Sequence, residues 1–534
     1  MPASATAASF VESRNPATGE VLGRFDSATV AEIPQYIRDA RAAQREWAAH
    51  SLSERCAFIS GLKDALFARR HEVAEAITRE VGKPKIEALL GDVMVALDTA
   101  AYFGDAQRVA HMLRPEETGH GNLAMKSKRG ALRYEPYGVI GIISPWNYPL
   151  AVSLGQIIPA LVAGNTVLLK PSEFTPHCGA IIGELCAEAS LPAGALQILQ
   201  GRGDVGAALL EPPEADASAR SSHIDKLVFT GSVPTGRKVA EACARHLIPS
   251  VLELGGKDAM IVLADADLEI ASSAAVWGSF TNCGQACLSV ERIYIENSVA
   301  PRFIEMSVAK AKKLRVGNPL DPDVEIGPMI NEAQVARVER QLQDAVSRGA
   351  KILTGGSRSP LGPCFFEPTV VTNVTDEMLL LREETFGPVL VICPVRDAQE
   401  AVARANNSIF GLAASVWTRD AARGEAIAAE LTTGVVMVND VISYYGSCEA
   451  PHGGRGASGW GRTHSRLGLL EMVQVKYVDV ERLARRPKSW WFGYNENVLA
   501  ATDSFIEFLF ARGIGQRMAK ARGALRAVFR KDWV

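Results

Sequence analysis

Asn282-Cys283-Gly284-Gln285-Ala286-Cys287 places a cysteine among small neighbours, where its sulfur is approachable and backbone N–H groups are free. Thirty-four residues upstream, Glu253 is the lone acid of Leu252-Glu253-Leu254-Gly255-Gly256-Lys257. The thiolate is the attacking species, and a cysteine of ordinary pKa near ~8.5 is only a few per cent ionised at neutral pH, so Cys287 needs a group to take its proton. Glu253 is the leading base, and the two glycines after it would let a ligand or a moving side chain approach the backbone. Attack on a carbonyl builds an oxyanion, which needs fixed donors. Asn147, in Ser144-Pro145-Trp146-Asn147-Tyr148-Pro149, offers a neutral amide on a loop stiffened by two prolines. Cys283 reads as a small core or pocket residue.

Two further segments suit a phosphorylated, ribose-bearing ligand. Phe229-Thr230-Gly231-Ser232-Val233-Pro234-Thr235-Gly236 follows a strand candidate and opens a helix, where glycines and free N–H groups suit a phosphate. Lys170-Pro171-Ser172-Glu173 offers an ammonium and a carboxylate to a ribose diol. Either segment alone is weak, because many strand-to-helix turns carry two glycines for packing, and Lys-Pro-Ser-Glu also suits a solvated turn.

The elements that must position these residues form an α/β pattern. Strand candidates Val139–Ile143, Thr166–Leu169, Leu196–Leu199, Lys226–Phe229 and Ser250–Leu254 alternate with helical stretches, implying a largely parallel sheet. Candidates Met260–Leu263, Arg292–Ile295, Thr369–Thr372, Val389–Pro394, Ala413–Thr418 and Val435–Val438 form a second such region, followed by a glycine-rich loop from Gly453 to Gly461 and a strand over Met472–Val480. Residues 33–107, rich in Ala, Glu, Arg and Leu, predict packed helices, and Asn15–Glu20 a turn between two extended pieces. Pro136–Leu169 carries no charge over 34 residues, but its prolines, glycines and asparagines divide it into strand, loop, helix and strand instead of a membrane span.

Composition bounds the partners. At 534 residues with a net charge of −3, the chain has no global drive toward nucleic acid, so a small metabolite is the expected partner. Nine cysteines, odd in number and widely spread, favour a reducing, cytoplasmic setting. No CxxC, HExxH or histidine cluster predicts a metal site, and the first ten residues do not read as a secretory signal.

Together, P-W-N-Y-P, K-P-S-E, F-T-G-S-x-x-x-G, L-E-L-G-G-K, N-x-G-Q-x-C, E-E-T-F-G-P-V (383–389) and P-H-G-G-R-x-x-S-G-x-G-R (451–462) resemble the aldehyde dehydrogenase superfamily, hydrolytic branch, over about residues 12–482. The resemblance implies an aldehyde dehydrogenase-like fold. A Rossmann-type cofactor domain would span 12–117 and 137–254, a second α/β catalytic domain 255–472, and a small β oligomerisation element 118–136 and 473–482. Residues 1–11 would be a flexible N-terminus and 483–534 a helical basic extension. The resemblance makes Cys287 the nucleophile, Asn147 and the Cys287 backbone N–H the oxyanion hole, and Glu253 the activator of the hydrolytic water. Lys170 and Glu173 would hold the adenosine ribose, Gly231 and Ser232 the pyrophosphate region, and Glu384 with Phe386 the nicotinamide ribose side. Ile143, Trp146, Gly236 and Leu254 would line the cofactor cleft. NAD is expected from Glu173, whose carboxylate would repel a 2′-phosphate, with NADP possible in the family.

A homodimer or homotetramer is expected, built by strand pairing between subunits. The resemblance would set Tyr444 and Tyr445, with Gly446-Ser447-Cys448 before the P-H-G-G loop, near the substrate tunnel, where their aromatic content hints at an apolar aldehyde. The tail carries eleven Lys or Arg against five Asp or Glu between Glu481 and Val534. Met518, Ala521, Leu525, Val528 and Phe529 fall on one helical face and Arg522, Arg526 and Arg530 on the other. Either the tail packs over the body or a subunit interface, or it touches an anionic membrane peripherally, with Trp490, Trp491 and Trp533 as anchors. Two other functions stay open: transfer of the acyl group to coenzyme A, which needs no water-activating Glu253, and a family-shaped scaffold without turnover.

Overall fold

The computed structural model describes residues 10–121, 125–211, 223–483, 488 and 490–528. Phe10–Arg14 pairs antiparallel with Val21–Asp26 across the expected turn, closed by Gly19 N–H donating to the Asn15 carbonyl at 2.7 Å. Phe10 and Val11, expected in the flexible N-terminus 1–11, pair in this strand instead; residues 1–9 of that expectation lie outside the described residues. Helices Ile33–Ala49 and Leu52–Val81 follow. The second opens with Ser51, whose hydroxyl accepts the Glu54 N–H while Glu54 bonds back to the Ser51 N–H, and ends on left-handed Gly82. A π-helix, Ala88–Met94, then interrupts the helical run.

Five parallel strands form most of a six-stranded sheet: Leu196–Ile198, Thr166–Lys170, Val139–Ile143, Lys226–Thr230 and Ser250–Glu253, side by side in that order. The first strand in sequence lies in the middle, and the chain proceeds outward from it to one side and then to the other. This order creates a crevice at the carboxyl ends of Val139–Ile143 and Lys226–Thr230. Near-continuous apolar runs suit these strands because helices such as Pro149–Val162 cover them, and every residue of that helix is buried.

A seven-stranded sheet holds Lys351–Thr354, Thr369–Thr372, Val389–Val395, Val290–Glu296, Asp258–Val262, Ala413–Trp417 and Val435–Val438, in that spatial order. Its core is the largest apolar cluster among the described residues. The glycine-rich loop does more than turn. Gly459–Trp460 pairs antiparallel with Leu252–Glu253 and so adds the sixth strand to the first sheet. Only glycine fits position 459, with φ of 104° and space for no Cβ beneath the Leu252 carbonyl.

These elements belong to one compact unit, the described residues up to Met112 together with Glu135–Gln474; Leu113–Tyr134 and the described residues from Val475 form a second. In the second unit, Val473–Glu481 is an edge strand of a three-stranded sheet with Lys128–Pro136 and Glu116–Thr118. Helices Glu496–Phe510 and Ile514–Val528 pack on each other through small residues: Ala524 and Ala527 are buried, and a Cβ on Gly523 would meet Ser504 at 2.5 Å. The apolar face expected from the helical spacing is not that seam, since Met518, Leu525 and Val528 are exposed. Phe529, Arg530 and Trp533 lie outside the described residues. No helix among the described residues is long and apolar enough to cross a membrane.

Candidate active site

Helix Leu268–Phe280 ends in a tight turn whose residues Asn282, Cys283 and Gly284 all have left-handed φ of 50°, 55° and 71°. Two non-glycine residues in this region store strain that the surroundings must hold. They are held by the Glu87 carboxylate, which accepts the Asn282 N–H and the Thr281 hydroxyl at 2.9 Å each, and by Gln285, whose amide donates to the Asn282 carbonyl at 3.0 Å. A Cβ on Gly284 would strike the Gly387 carbonyl. The turn delivers Cys287 partly buried to the wall of a cavity of about 910 Å³, while Cys283 is buried in the apolar core.

The same cavity is lined by Asn147 and Glu253, and by Trp146, Gly231, Ser232, Leu254, Glu384 and Phe386. The structure therefore gathers nine of the thirteen residues singled out from sequence on one cavity. Ile143, Lys170, Glu173 and Gly236 are outside its lining. Ile143 and Lys170 are register partners at the carboxyl ends of adjacent strands, and Lys170 Nζ lies 3.2 Å from Glu173 Oε2. Gly236 is behind the wall, where a Cβ would collide with Leu254.

Asn147 Nδ2 donates to the Gln285 carbonyl at 3.1 Å, which fixes the amide and leaves its second hydrogen for a ligand. The Asn147 carbonyl accepts from Lys83 Nζ at 2.6 Å and from Asn282 Nδ2 at 3.0 Å, so the Pro-Trp-Asn-Tyr-Pro loop and the cysteine turn are locked together. Glu253 is held by pairing on both sides: Thr230 is its parallel partner and Gly459 its antiparallel one. Ser458 pins the turn that follows, its carbonyl accepting the Leu254 N–H at 3.1 Å and its hydroxyl donating to the Gly255 carbonyl at 2.7 Å.

Burial disfavours the charged form of both reactive groups. Burial first, then the negative charges of Asp258, Glu253 and Glu384, push the Cys287 thiol well up. Burial also raises the Glu253 carboxyl, partly offset by His452, whose Nε2 is 3.2 Å from Oε2. Neither Glu253 oxygen has an aligned hydrogen-bond partner. A carboxylate raised toward neutrality and beside a raised thiol is suited to exchange protons with it. Glu384, pushed up to about 7 by burial, accepts the Gly256 N–H at 3.1 Å, and Glu291 holds the next turn by accepting the Thr385 and Phe386 N–H groups.

A dinucleotide fits the crevice. Ser232 caps helix Val233–Arg245 at the end of strand Lys226–Thr230, presenting that helix N-terminus to the cavity. Gln334 and Arg337, on helix Glu332–Ser347, also line it, and Gln334 Oε1 is buried without a hydrogen-bond partner. Sequence reading missed these two, because a Gln and an Arg on an amphipathic helix carry no local signature. It also missed Lys83 and His452, whose importance comes from neighbours far away in the chain. Trp146 and Phe386 meet edge to face, ring centroids 5.4 Å apart, at the cavity wall.

Residues 3–478 match the model of the aldehyde dehydrogenase family. The chain is 36% identical over 529 residues to a protein named 4,4′-diapolycopene aldehyde oxidase from Methylomonas sp, covering 97% of this chain and 96% of that one. It is 38% identical over 469 residues to a putative NADP(+) succinate-semialdehyde dehydrogenase of Mycolicibacterium smegmatis, covering 87% and 88%. The NAD-dependent aldehyde dehydrogenase from Sinorhizobium meliloti superposes with a TM-score of 0.84 at 34% identity, covering 91% of this chain and 94% of that one. The chain belongs to the aldehyde dehydrogenase family.

Proposed function

We propose that this NAD(P)-dependent enzyme oxidises a long, apolar aldehyde to its carboxylic acid through a thioester on Cys287. The observation that carries the reading is the shared cavity of Cys287, Asn147 and Glu253 with Glu384 and Phe386. Glu253 takes the Cys287 proton, and the sulfur attacks the aldehyde carbon. The free Asn147 amide hydrogen and the Cys287 backbone N–H receive the oxyanion. A nicotinamide held at the Glu384 and Phe386 side would supply the hydride acceptor that converts the thiohemiacetal on Cys287 to the thioester. Glu253 passes the thiol proton to solvent and then removes one from water, which attacks the thioester; the acid leaves, and Glu253 returns this second proton to the departing sulfur. Retention of Glu253 favours hydrolysis over coenzyme A transfer, and intact Cys287 and Glu253 argue against a scaffold.

In this reading 12–117 and 137–254 bind the dinucleotide, 255–472 carry the catalytic cysteine, and 118–136 with 473–482 serve assembly. Lys170 and Glu173 hold the adenosine ribose and favour NAD; Gly231 and Ser232 flank the pyrophosphate; Ile143, Gly236 and Leu254 shape the cleft. The edge strand Val473–Glu481 carries exposed Val475, Tyr477 and Val480, which supports pairing with a second subunit as a homodimer or within a homotetramer.

The substrate class rests on the cavity lining. Ile86, Leu90, Met94 and Trp277 line it and are about half exposed, and Val95 and Phe280 continue the apolar wall. Lys310 and Arg315 also line it but face carboxylates, Glu269 at 2.9 Å and Glu325 at 3.6 Å, so neither waits for a substrate carboxylate. The relative named for a diapolycopene aldehyde spans 97% of the chain, whereas the succinate-semialdehyde relatives span 87%. The extension supports the same reading. Trp490, Trp491, Phe492, Ile506, Phe510 and Ile514 are exposed on a segment rich in basic residues, which suits peripheral contact with an anionic bilayer where such aldehydes dissolve.

An aldehyde panel from succinate semialdehyde to long aliphatic and polyene aldehydes, read as kcat/KM by NADH formation, tests the substrate. Preference for succinate semialdehyde would overturn it, and formation of acyl-CoA without free acid would overturn hydrolysis. Cosedimentation with anionic liposomes, with and without residues 483–534, tests the membrane contact, and no binding by the full chain ends it.

A further inference from the structure

Beside Glu253 stands a group of buried and half-buried side chains that the reaction scheme above does not use. His452 projects from the glycine-rich loop, fixed by reciprocal backbone hydrogen bonds with Thr463 at 2.9 and 2.8 Å. Its Nδ1 is 2.8 Å from the Tyr444 hydroxyl, and its Nε2 faces Glu253 Oε2 at 3.2 Å. Tyr445 stands edge-on to the His452 ring, with centroids 4.9 Å apart, and also to His464 at 4.7 Å.

The tautomer follows from the partners. An ionised Glu253 carboxylate only accepts, so the ring nitrogen facing it at 3.2 Å is the one that carries hydrogen, and Nδ1 is left to accept from the Tyr444 hydroxyl at 2.8 Å. A hydroxyl donating to Nδ1 puts the ring hydrogen of a neutral imidazole on Nε2, pointing at the Glu253 carboxylate. The approach to Oε2 is off the N–H axis, as catalytic contacts often are before substrate tightens them. We propose that His452, with its tautomer set by Tyr444, is a positioning residue for Glu253: it donates to Oε2 and leaves Oε1 to take the proton from thiol or water. The proposal rests on Glu253 being the base.

Other charges act on the same carboxyl. Arg462 favours its ionised form and Glu471 opposes it; Asp258 and Cys287 bear on Tyr444. His464 is kept neutral, its pKa lowered by burial to about 3, and so adds no positive charge above that range. Removing a donor from a carboxylate disfavours its charged form, so losing His452 moves the titration of Glu253 upward.

The test is the pH dependence of kcat for the full-length enzyme, with p-nitrophenyl acetate hydrolysis as a second readout that needs no nicotinamide. His452→Phe should shift the acid limb upward by about one pH unit. Tyr444→Phe should shift it less in the same direction, and His452→Gln, which restores an N–H donor, should recover part of the loss. Limbs unmoved or lowered in His452→Phe and Tyr444→Phe would overturn the proposal. Should His452→Phe fail to fold, Tyr444→Phe decides alone, since it removes a single oxygen. Glu253→Gln separates the two ideas: loss of the limb with an unmoved His452→Phe profile rejects the positioning role only, whereas full turnover in Glu253→Gln rejects the base itself.

Discussion

Lys83 Nζ lies 2.8 Å from Asp92 Oδ2, with both side chains fully buried, and the pair grips the loop that carries Asn147. Lys83 also donates to the Asn147 carbonyl, Asp92 Oδ1 accepts the Leu150 and Ala151 N–H groups at 3.2 Å each, and the ammonium stands 3.5 Å from the Tyr148 ring centroid. The π-helix that supplies Asp92 is thereby tied to the start of helix Pro149–Val162. Breaking a buried pair leaves an uncompensated charge, so Lys83→Met should cost about 3–5 kcal/mol in urea unfolding. A cost below about 1 kcal/mol would mean that Asp92 finds another partner.

Cys287→Ser or Cys287→Ala should abolish aldehyde oxidation, and Asn147→Ala should lower kcat by about a hundredfold or more through loss of an oxyanion donor. Glu253→Gln should release a burst of NADH without sustained turnover, provided acylation stays fast. Full activity in Cys287→Ala would remove the proposed nucleophile from the mechanism.

Leu90 and Met94 project from the π-helix into the apolar cavity and are half exposed. Leu90→Lys or Met94→Lys should raise KM for a long aliphatic aldehyde by roughly tenfold, since each buried methylene contributes about 0.8 kcal/mol. KM for a short aldehyde should hardly change. Equal effects on both would indicate damage to the cysteine turn instead of the tunnel.

Burial pushes Glu87 from its ordinary 4.5 up to about 7. Between those values the folded protein keeps a proton that the unfolded chain has lost, so stability falls as pH rises through that window. Glu87→Gln cannot ionise and keeps an acceptor for the Asn282 N–H. Its stability should therefore fall less steeply than wild type between pH 4.5 and 7, by at most roughly 1.4 kcal/mol per pH unit. Urea midpoints at several pH values check this, and parallel curves would refute it.

Glu173 pairs with Lys170 at the edge of the crevice. Glu173→Gln removes a negative charge that would face a 2′-phosphate, so kcat/KM for NADP relative to NAD should rise by about tenfold, or roughly 1.4 kcal/mol. An unchanged ratio would assign the ribose contact elsewhere.

Residue order alone makes the local pieces legible. The β-rich runs around 139–143, 166–169 and 226–229 are buried on both faces and read as strands without help. The cysteine turn, the two-proline loop and the Glu253-Gly-Gly segment announce themselves because their chemistry needs particular residues at short spacing. Tertiary structure decided what holds those pieces in register. His452 and Glu253 become neighbours only because Gly459–Trp460 adds a strand beside Leu252–Glu253. Lys83 acquires its role only where the π-helix meets the Asn147 loop. In the extension, helical spacing correctly marked an apolar face, but close packing selected the small side chains of Ala524 and Ala527 for the seam and left Met518 and Leu525 in solvent. Periodicity reports which side chains share a face; which face is buried depends on how closely another backbone can approach it.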